Sequence, residues 1–413
     1  MTVGGERHRP HSPHVQTLRV PALTEIDYKQ LRAGRLERLQ QKMKKHDMPI
    51  CLFYTPGNIR YATGTEVMGV WTATTLARYC LVAAEGAPIM FEYPNSLHVS
   101  QRIMADVRPA MSWQYGSVEG WGRAQKWAAS IKDTMREMGC EGAPLAVDRL
   151  DGHGFNALVD QGITVTDPTP ATVDAREVKT PEEVGLMIIN GAIGDAVLAD
   201  FEAAVVPGIR EYELLAVINE SLFRNHGEFM FTRLVASGTR TNPWMSEAHD
   251  KLVQPGDLVG FDTDANGYEG YVFDISRTFL CGDEAVEGQK ECYRIAYDCV
   301  NGMRELMKPG MSFEEFSRQA PELPDAYKKG RYGGMCHQAG LEDEGPGIPY
   351  PDVADEGIKG IPDREIQENM VFCLECYAGK DGAPYGVKLE DQVLVTKDGA
   401  VVLSTYPFEA KLL

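Results

Sequence analysis

The stretch Gly256–Phe279, GDLVGFDTDANGYEGYVFDISRTF, sets Asp262, Asp264 and Asp274 into two runs of apolar and β-branched residues. Val259, Phe261 and Thr263 alternate with Gly260, Asp262 and Asp264, so the two-residue period of a strand puts Asp262 and Asp264 on one face. Asn266-Gly267 signals a turn, and Tyr271–Phe279 has the composition to return antiparallel. Asp262 would face Asp274 if the connection were centred on Tyr268. A tight turn at Asn266-Gly267 misses that register, so a longer loop or a bulge is expected. Three carboxylates brought together repel one another, and burying each ionised group costs several kcal/mol unless a cation compensates. Arg277 is one candidate, although its spacing from Asp274 puts it on the opposite face. A divalent metal is the other, because hard oxygen ligands on rigid strands suit Mn, Fe, Co or Mg. A solvated acidic hairpin is the plainer alternative.

At 413 residues the chain has room for roughly two to three domains with large cores. A formal net charge of −19 argues against nucleic acid or an anionic membrane surface as the main partner. Nine cysteines without an apolar signal segment read as reduced thiols, hence a cytoplasmic protein. Cys373 and Cys376 fall in a strand-like run and are expected in the core or behind a ligand. Residues 1–24, rich in Pro, His and Arg without periodicity, read as a flexible arm. Alternating helices and strands over residues 25–172 predict a smaller α/β domain. Thr180-Pro181 then caps a long helix, and residues 173–413 alternate helices with antiparallel hairpins, an α+β pattern. The strands expected there include Phe231–Ala236, and no membrane-spanning run stands out.

The remaining candidate ligands lie in this second region. His337 sits in YGGMCHQAG, where glycines allow close backbone approach. Glu375 sits in MVFCLECY and Glu390 in YGVKLEDQVLV, each an acid inside an apolar strand. Singly, a buried histidine is usually just hydrogen-bonded and a strand glutamate usually exposed; the set is harder to explain that way.

The order Asp, Asp, His, Glu, Glu in VFDISRTF, HQAGL, MVFCLE and VKLEDQVLVTKDG resembles the pita-bread metallopeptidase family, which includes methionine aminopeptidase, Xaa-Pro aminopeptidase, prolidase and creatinase. NIRYATG at Asn58–Gly64 resembles the creatinase-type amino-terminal domain. The resemblance implies a dinuclear metal site on Asp262, Asp274, His337, Glu375 and Glu390 in a C-terminal pita-bread domain. Two departures bear on activity. A third aspartate, Asp264, joins the pair, and neither Asp262 nor Asp264 has the peptidases' spacing to Asp274. The histidine that peptidases carry seven residues after the ligand histidine is Glu344 here, and the segment Ser237–Trp244 lacks their upstream histidine, leaving only His249 nearby.

Metal-assisted amide hydrolysis needs groups that stabilise an oxyanion and protonate a leaving amine, and a carboxylate at position 344 opposes the first. A reaction that needs a base suits Asp343-Glu344 better. FDTD, LVASGTRTNPW, YGGMCHQAGLEDE and STYPFEAKLL are similar to the dimethylsulfoniopropionate (DMSP) lyase branch of the family. That resemblance implies that Asp264 joins the ligands, that Asp343 is the base with Tyr332 in support, and that Trp71 offers an aromatic face to the sulfonium. It further implies two divalent ions, iron favoured with Mn, Co or Zn possible, a small zwitterionic substrate and a homodimer. A Xaa-Pro aminopeptidase, prolidase or creatinase-like hydrolase is the alternative.

Overall fold

The structure, a computed structural model, describes residues 26–66, 69, 75–114 and 119–413. The arm expected over 1–24 lies outside them. By internal packing the chain divides into two compact units, Asp27–Glu182 and Glu183–Leu413.

The first unit opens with the helix Tyr28–Lys45, capped by Asp27, whose carboxylate accepts from the N–H groups of Lys29 and Gln30. Leu31, Leu39 and Met43 make its buried stripe. Six strands follow: β1 Ile50–Phe53, β2 Tyr79–Ala83, β3 Ile89–Glu92, β4 Val107–Pro109, β5 Leu145–Val147 and β6 Val165–Thr166. They form one mixed sheet in the order β4-β3-β2-β1-β5-β6. The antiparallel pairs are β1/β2 and β2/β3; β3/β4, β1/β5 and β5/β6 are parallel. Tyr54, Tyr79, Trp113 and Trp127 pack as the aromatic centre of the core.

The second unit is built on two antiparallel sheets. β9 Leu258–Asn266 and β10 Val272–Leu280 make the acidic hairpin, with β7 Phe229–Met230 and β8 Leu234–Ser237 beside β9. The single strand expected over Phe231–Ala236 is therefore broken: the Phe231 N–H donates to the Asp264 carbonyl at 2.9 Å, and the Thr232 hydroxyl bonds the Asp264 carboxylate. The other sheet runs β12-β11-β13-β14-β15, with β11 Gly334–Ala339, β12 Asp343–Pro349, β13 Val371–Ala378, β14 Val387–Thr396 and β15 Gly399–Val402. Side chains of β10 tie the hairpin to β14: the Thr278 hydroxyl donates to the Lys388 carbonyl at 2.9 Å, and Arg277 Nη1 to the Glu390 carbonyl at 2.6 Å. The helix Glu287–Leu306 packs on β13 and β14. Both units carry the mixed helix and sheet content expected.

The helix Pro181–Ala204 covers the apolar face of the hairpin. Phe201 lies 5.0 Å from the Phe261 ring and 5.9 Å from that of Phe279, and a side chain at Gly194 would collide with Ile275. By length and composition alone this helix is long and apolar enough to cross a bilayer, but 61% of its most apolar stretch is buried. Within it Asp195 is wholly buried and accepts from the Ser404 hydroxyl and the Thr405 and Tyr406 N–H groups, bonds that belong to a core helix. With Phe261, Thr263 and Ala265 turned toward one side, Asp262 and Asp264 face the other.

Candidate metal centre

The register of the hairpin differs from the expected one. Asp274 pairs with Asp264, and Asp262 pairs with Ser276, whose hydroxyl donates to Asp262 Oδ1 at 2.6 Å. The connection is the 3-10 turn Tyr268–Gly270, in which Glu269 takes the left-handed conformation (φ +56°), so the hairpin is centred on Glu269, not Tyr268. Asn190 of the long helix holds this turn, accepting from the Tyr268 N–H at 2.6 Å and donating to its carbonyl at 3.0 Å. Moving the centre by one residue shifts each partner by two, so the partners change while the face does not, and the three aspartates remain together.

The second sheet supplies the rest. Glu375 and Glu390 are directly paired across β13 and β14, and His337 on β11 pairs with Cys373 on β13. One cavity of about 310 Å³ is lined by all six expected ligands, Asp262, Asp264, Asp274, His337, Glu375 and Glu390, and by Asp343 and Tyr332. Thr232, Leu234 and Met245 complete its wall. Trp71 lies outside the described residues.

Two sets of ligand atoms converge, each lying within 4.8 Å of the others in its set: one from Asp274, His337, Cys373 and Glu390, the other from Asp264, Asp274 and Asp343. His337 Nε2 is 3.2 Å from Asp274 Oδ2 and 3.9 Å from Glu390 Oε1. Those two carboxylate oxygens are buried and accept no hydrogen bond. Buried anionic oxygens without donors, facing an imidazole nitrogen, fit a divalent cation, which also compensates the like charges around it. Cys373 comes nearer to this centre than the sequence suggested; burial first, then Glu390 and Asp343, push its thiol far up, so it stays neutral behind the carboxylates.

The acidic crowding acts on protonation throughout. Burial, followed by the Asp264 and Glu390 charges, raises Asp274 well above the usual carboxylate range. Burial raises Glu375 to about 7 against the opposing Lys388, and raises Asp262 likewise. Burial alone would lower His337, but Glu375, Asp343 and Glu390 outweigh it and bring the imidazole up to about 9. Metal ions would draw all of these back down.

Asp343 and Glu344, indistinguishable as candidate bases in the sequence, part company in the fold. Asp343 lines the cavity beside Asp264; it opens to solvent on one side, yet desolvation and the Asp264 charge push it up to about 8. Glu344, the next residue on β12, is buried, and its carboxylate reaches back to accept the Leu341 N–H of the preceding turn at 3.0 Å. His249 is not among the residues lining the cavity, and its backbone N–H donates to the Glu211 carboxylate at 2.9 Å. The Tyr332 hydroxyl is 3.4 Å from Asp262 Oδ2 and 3.2 Å from Met245 Sδ.

The residue that sequence reasoning missed is Lys388. Its ammonium is buried, 2.9 Å from Glu390 Oε2, 3.0 Å from Glu375 Oε2 and 3.6 Å from Asp262 Oδ2. A signal existed: in Val387-Lys-Leu-Glu390 the lysine stands two residues before a ligand, so on the same face of the strand. Arg277, by contrast, faces away as its spacing implied and pairs with Asp391 at 2.8 Å.

Comparison with known proteins agrees with this architecture. Residues 186–397 match metallopeptidase family M24, and residues 35–177 match the creatinase/prolidase N-terminal domain. The chain is 32% identical to the dimethylsulfoniopropionate lyase DddP of Roseovarius nubinhibens, over 94% of this chain and 88% of that one. It is 28% identical to a Xaa-Pro dipeptidase of Pyrococcus furiosus, over 89% and 96% of the two chains. Among solved structures, a prolidase from Thermococcus sibiricus superposes with a TM-score of 0.76 at 22% identity, covering 93% of this chain and 99% of its own. The chain belongs to metallopeptidase family M24, the metal-dependent pita-bread enzymes, in the two-domain form with a creatinase-type N-terminal domain that is similar to the DddP lyases along most of its length.

Proposed function

We propose that the chain is a metal-dependent carbon–sulfur lyase that eliminates dimethyl sulfide from DMSP and leaves acrylate. Identity to two DddP lyases over 94% of the chain supports the reading. One observation carries it: the cavity with the ligand set holds a further carboxylate, Asp343, where an elimination needs a base.

Asp262, Asp264, Asp274, His337, Glu375 and Glu390 would hold two divalent ions, iron by resemblance, with Mn, Co or Zn also suited to one imidazole and five carboxylates. Bound there, the ions supply positive charge that receives the substrate carboxylate and steadies the negative charge growing on it. Asp343 takes the proton from the α carbon. The electron pair of that C–H bond becomes the carbon–carbon double bond, the Cβ–S bond breaks, and dimethyl sulfide departs with its electron pair. Burial pushes the Tyr332 phenol up, so its hydroxyl stays a donor at the cavity wall. Two dications and the Lys388 ammonium against six cavity carboxylates leave one net negative charge, which favours a zwitterion with a cationic end over a dianion. A cytoplasmic homodimer without nucleic-acid or membrane partners completes the reading, and sedimentation at two protein concentrations tests the dimer.

Hydrolysis is the second reading, favoured by the identity to the Xaa-Pro dipeptidase. Headspace dimethyl sulfide from DMSP, measured beside a panel of Xaa-Pro dipeptides, separates the two. Asp343→Ala is expected to lower sulfide release by about 10²- to 10⁴-fold with metal content retained. Undiminished release would remove Asp343 as the base, and cleavage of the dipeptides alone would establish the hydrolase.

A further inference from the structure

Carboxylates and His337 make up most of the cavity lining, and among the described residues only Leu234 and Met245 line it with apolar side chains. Tyr332 adds a ring, but Lys388 Nζ already lies over that ring at 5.0 Å. Met245 reaches the cavity by an uncommon route. Trp244, the residue before it, is buried against Tyr377 with ring centres 6.3 Å apart, and a side chain at Gly260 would come within 2.6 Å of its ring. Glu247, two residues after Met245, bridges to Leu234 of β8 and pairs with Arg233 at 2.8 Å. Between these anchors Met245 takes the left-handed conformation (φ +69°), which residues with a side chain rarely adopt and which persists only where the surroundings impose it. The result is a methionine that lines the cavity while 66% exposed, and so stands at its mouth. Its Sδ accepts from the Tyr332 hydroxyl at 3.2 Å.

We propose that Met245 is the specificity-determining residue for the onium head of the substrate: with Leu234 it forms the apolar wall that the two S-methyl groups touch, and its bulk excludes larger alkyl groups. The inference rests on the reading of this cavity as that of a DMSP lyase. The two ends of the substrate ask for opposite surroundings. Its carboxylate belongs on the side of the metal ligands. Its methyl groups gain from contact with polarizable side chains, and a thioether is soft and polarizable. The leaving group, dimethyl sulfide, is itself a neutral thioether, so the same wall holds it equally well as positive charge drains from the sulfur. A carboxylate in that place would bind the cation and oppose its discharge, favouring the ground state over the transition state. Because Trp244 and Glu247 seat Met245 firmly, the wall has a fixed size, and an apolar pocket of fixed size discriminates by about tenfold or more per methylene.

Steady-state kinetics on DMSP and on 3-(diethylsulfonio)propionate test this, with headspace sulfide as the readout and metal content measured alongside. The unaltered protein is expected to favour the dimethyl head by at least about tenfold in kcat/KM. Met245→Ala should bring the two substrates within about threefold of each other and raise KM for DMSP about tenfold, while kcat changes by less than about threefold because ligands and base are untouched. Met245→Leu, which keeps an apolar side chain of similar volume, should retain the parent preference. Sulfide release with no preference between the heads in the unaltered protein, or with the preference unchanged in Met245→Ala, would overturn the inference and leave the lyase reading standing. A leucine variant as permissive as the alanine one would overturn it too. No sulfide from either substrate would remove the lyase reading and this inference with it. Truncating a side chain that is 66% exposed opens no buried cavity, so the alanine variant is expected to fold, and the parent's own preference is a test that needs no variant.

Discussion

Glu390 and Asp391 are neighbours on β14, point to opposite faces and are equally buried, each 1% exposed. Asp391 faces Arg277 Nη2 at 2.8 Å and Arg304 Nη1 at 3.8 Å. Arg277 is itself enclosed, donating to the Glu390 and Tyr406 carbonyls with its guanidinium 4.2 Å from the Phe408 ring centre. On the other face Glu390 keeps one oxygen without a donor. Depth is therefore not what separates a structural acid from a functional one. The supply of positive charge is: the arginine face is balanced within the chain, whereas the cavity face brings six carboxylates against Lys388 and His337. Stability is surrendered on that face in a form that only a bound cation can restore.

The largest effect that follows is a difference in the size of the loss. Asp391→Asn leaves the Arg277 guanidinium buried without its counter-charge and should cost about 3–5 kcal/mol of stability in the second unit. Glu390→Gln removes a charge from an overcrowded face, so the chelator-stripped variant should unfold within about 1 kcal/mol of the stripped parent while losing metal retention. Urea unfolding of both stripped variants measures this. Equal losses would mean that the two faces do not differ in the way argued.

How far this contrast could be read beforehand depends on the range of the forces involved. The acids stood out because each interrupts a run of apolar, β-branched residues, a local signal. Face was readable too, since a two-residue period sends Asp262 and Asp264 one way and Arg277 the other relative to Asp274. Register was not: it hangs on the left-handed Glu269 and on Asn190, a helix residue distant in sequence that grips the turn. The separation of Asp343 from Glu344 was hidden for the same reason, because the Leu341 N–H that captures Glu344 is available only once β11 has turned into β12. Lys388 was readable by period, but a search for ligands passes over a cation.

The middle effect is pH dependence of the metal-free protein. Glu375 at about 7 and Asp343 at about 8 are raised above the ordinary carboxylate value near 4. Their protonation favours the fold, so that contribution is complete below pH about 4 and is lost as pH rises through their folded values. His337 has the same sign: raised to about 9, its contribution is complete below about 6.5 and lost as pH rises through 9. Between pH 6 and 9 the stripped protein should lose on the order of 5 °C in thermal midpoint. Saturating Mn²⁺ should abolish or reverse the trend, because metal requires the deprotonated ligands. A midpoint that rises with pH in the stripped protein would show that the cavity is not starved of positive charge.

The smallest effect concerns the other pair of adjacent acids. Glu344 is spent on the turn: it accepts the Leu341 N–H, and a side chain at Gly340 would run into its carboxylate. Glu344→Gln keeps an acceptor oxygen and nearly the same volume, so it should cost about 1 kcal/mol or less and leave sulfide release within about threefold of the parent. Asp343→Asn keeps volume equally well but removes the only capacity to take a proton, so release should fall to the level of Asp343→Ala. The two isosteric changes, one residue apart, make packing a constant and charge at the cavity the variable. If Glu344→Gln were the variant that failed to release sulfide while Asp343→Asn did not, the base would have to be the buried acid of the turn, and the turn would have to open for every catalytic cycle.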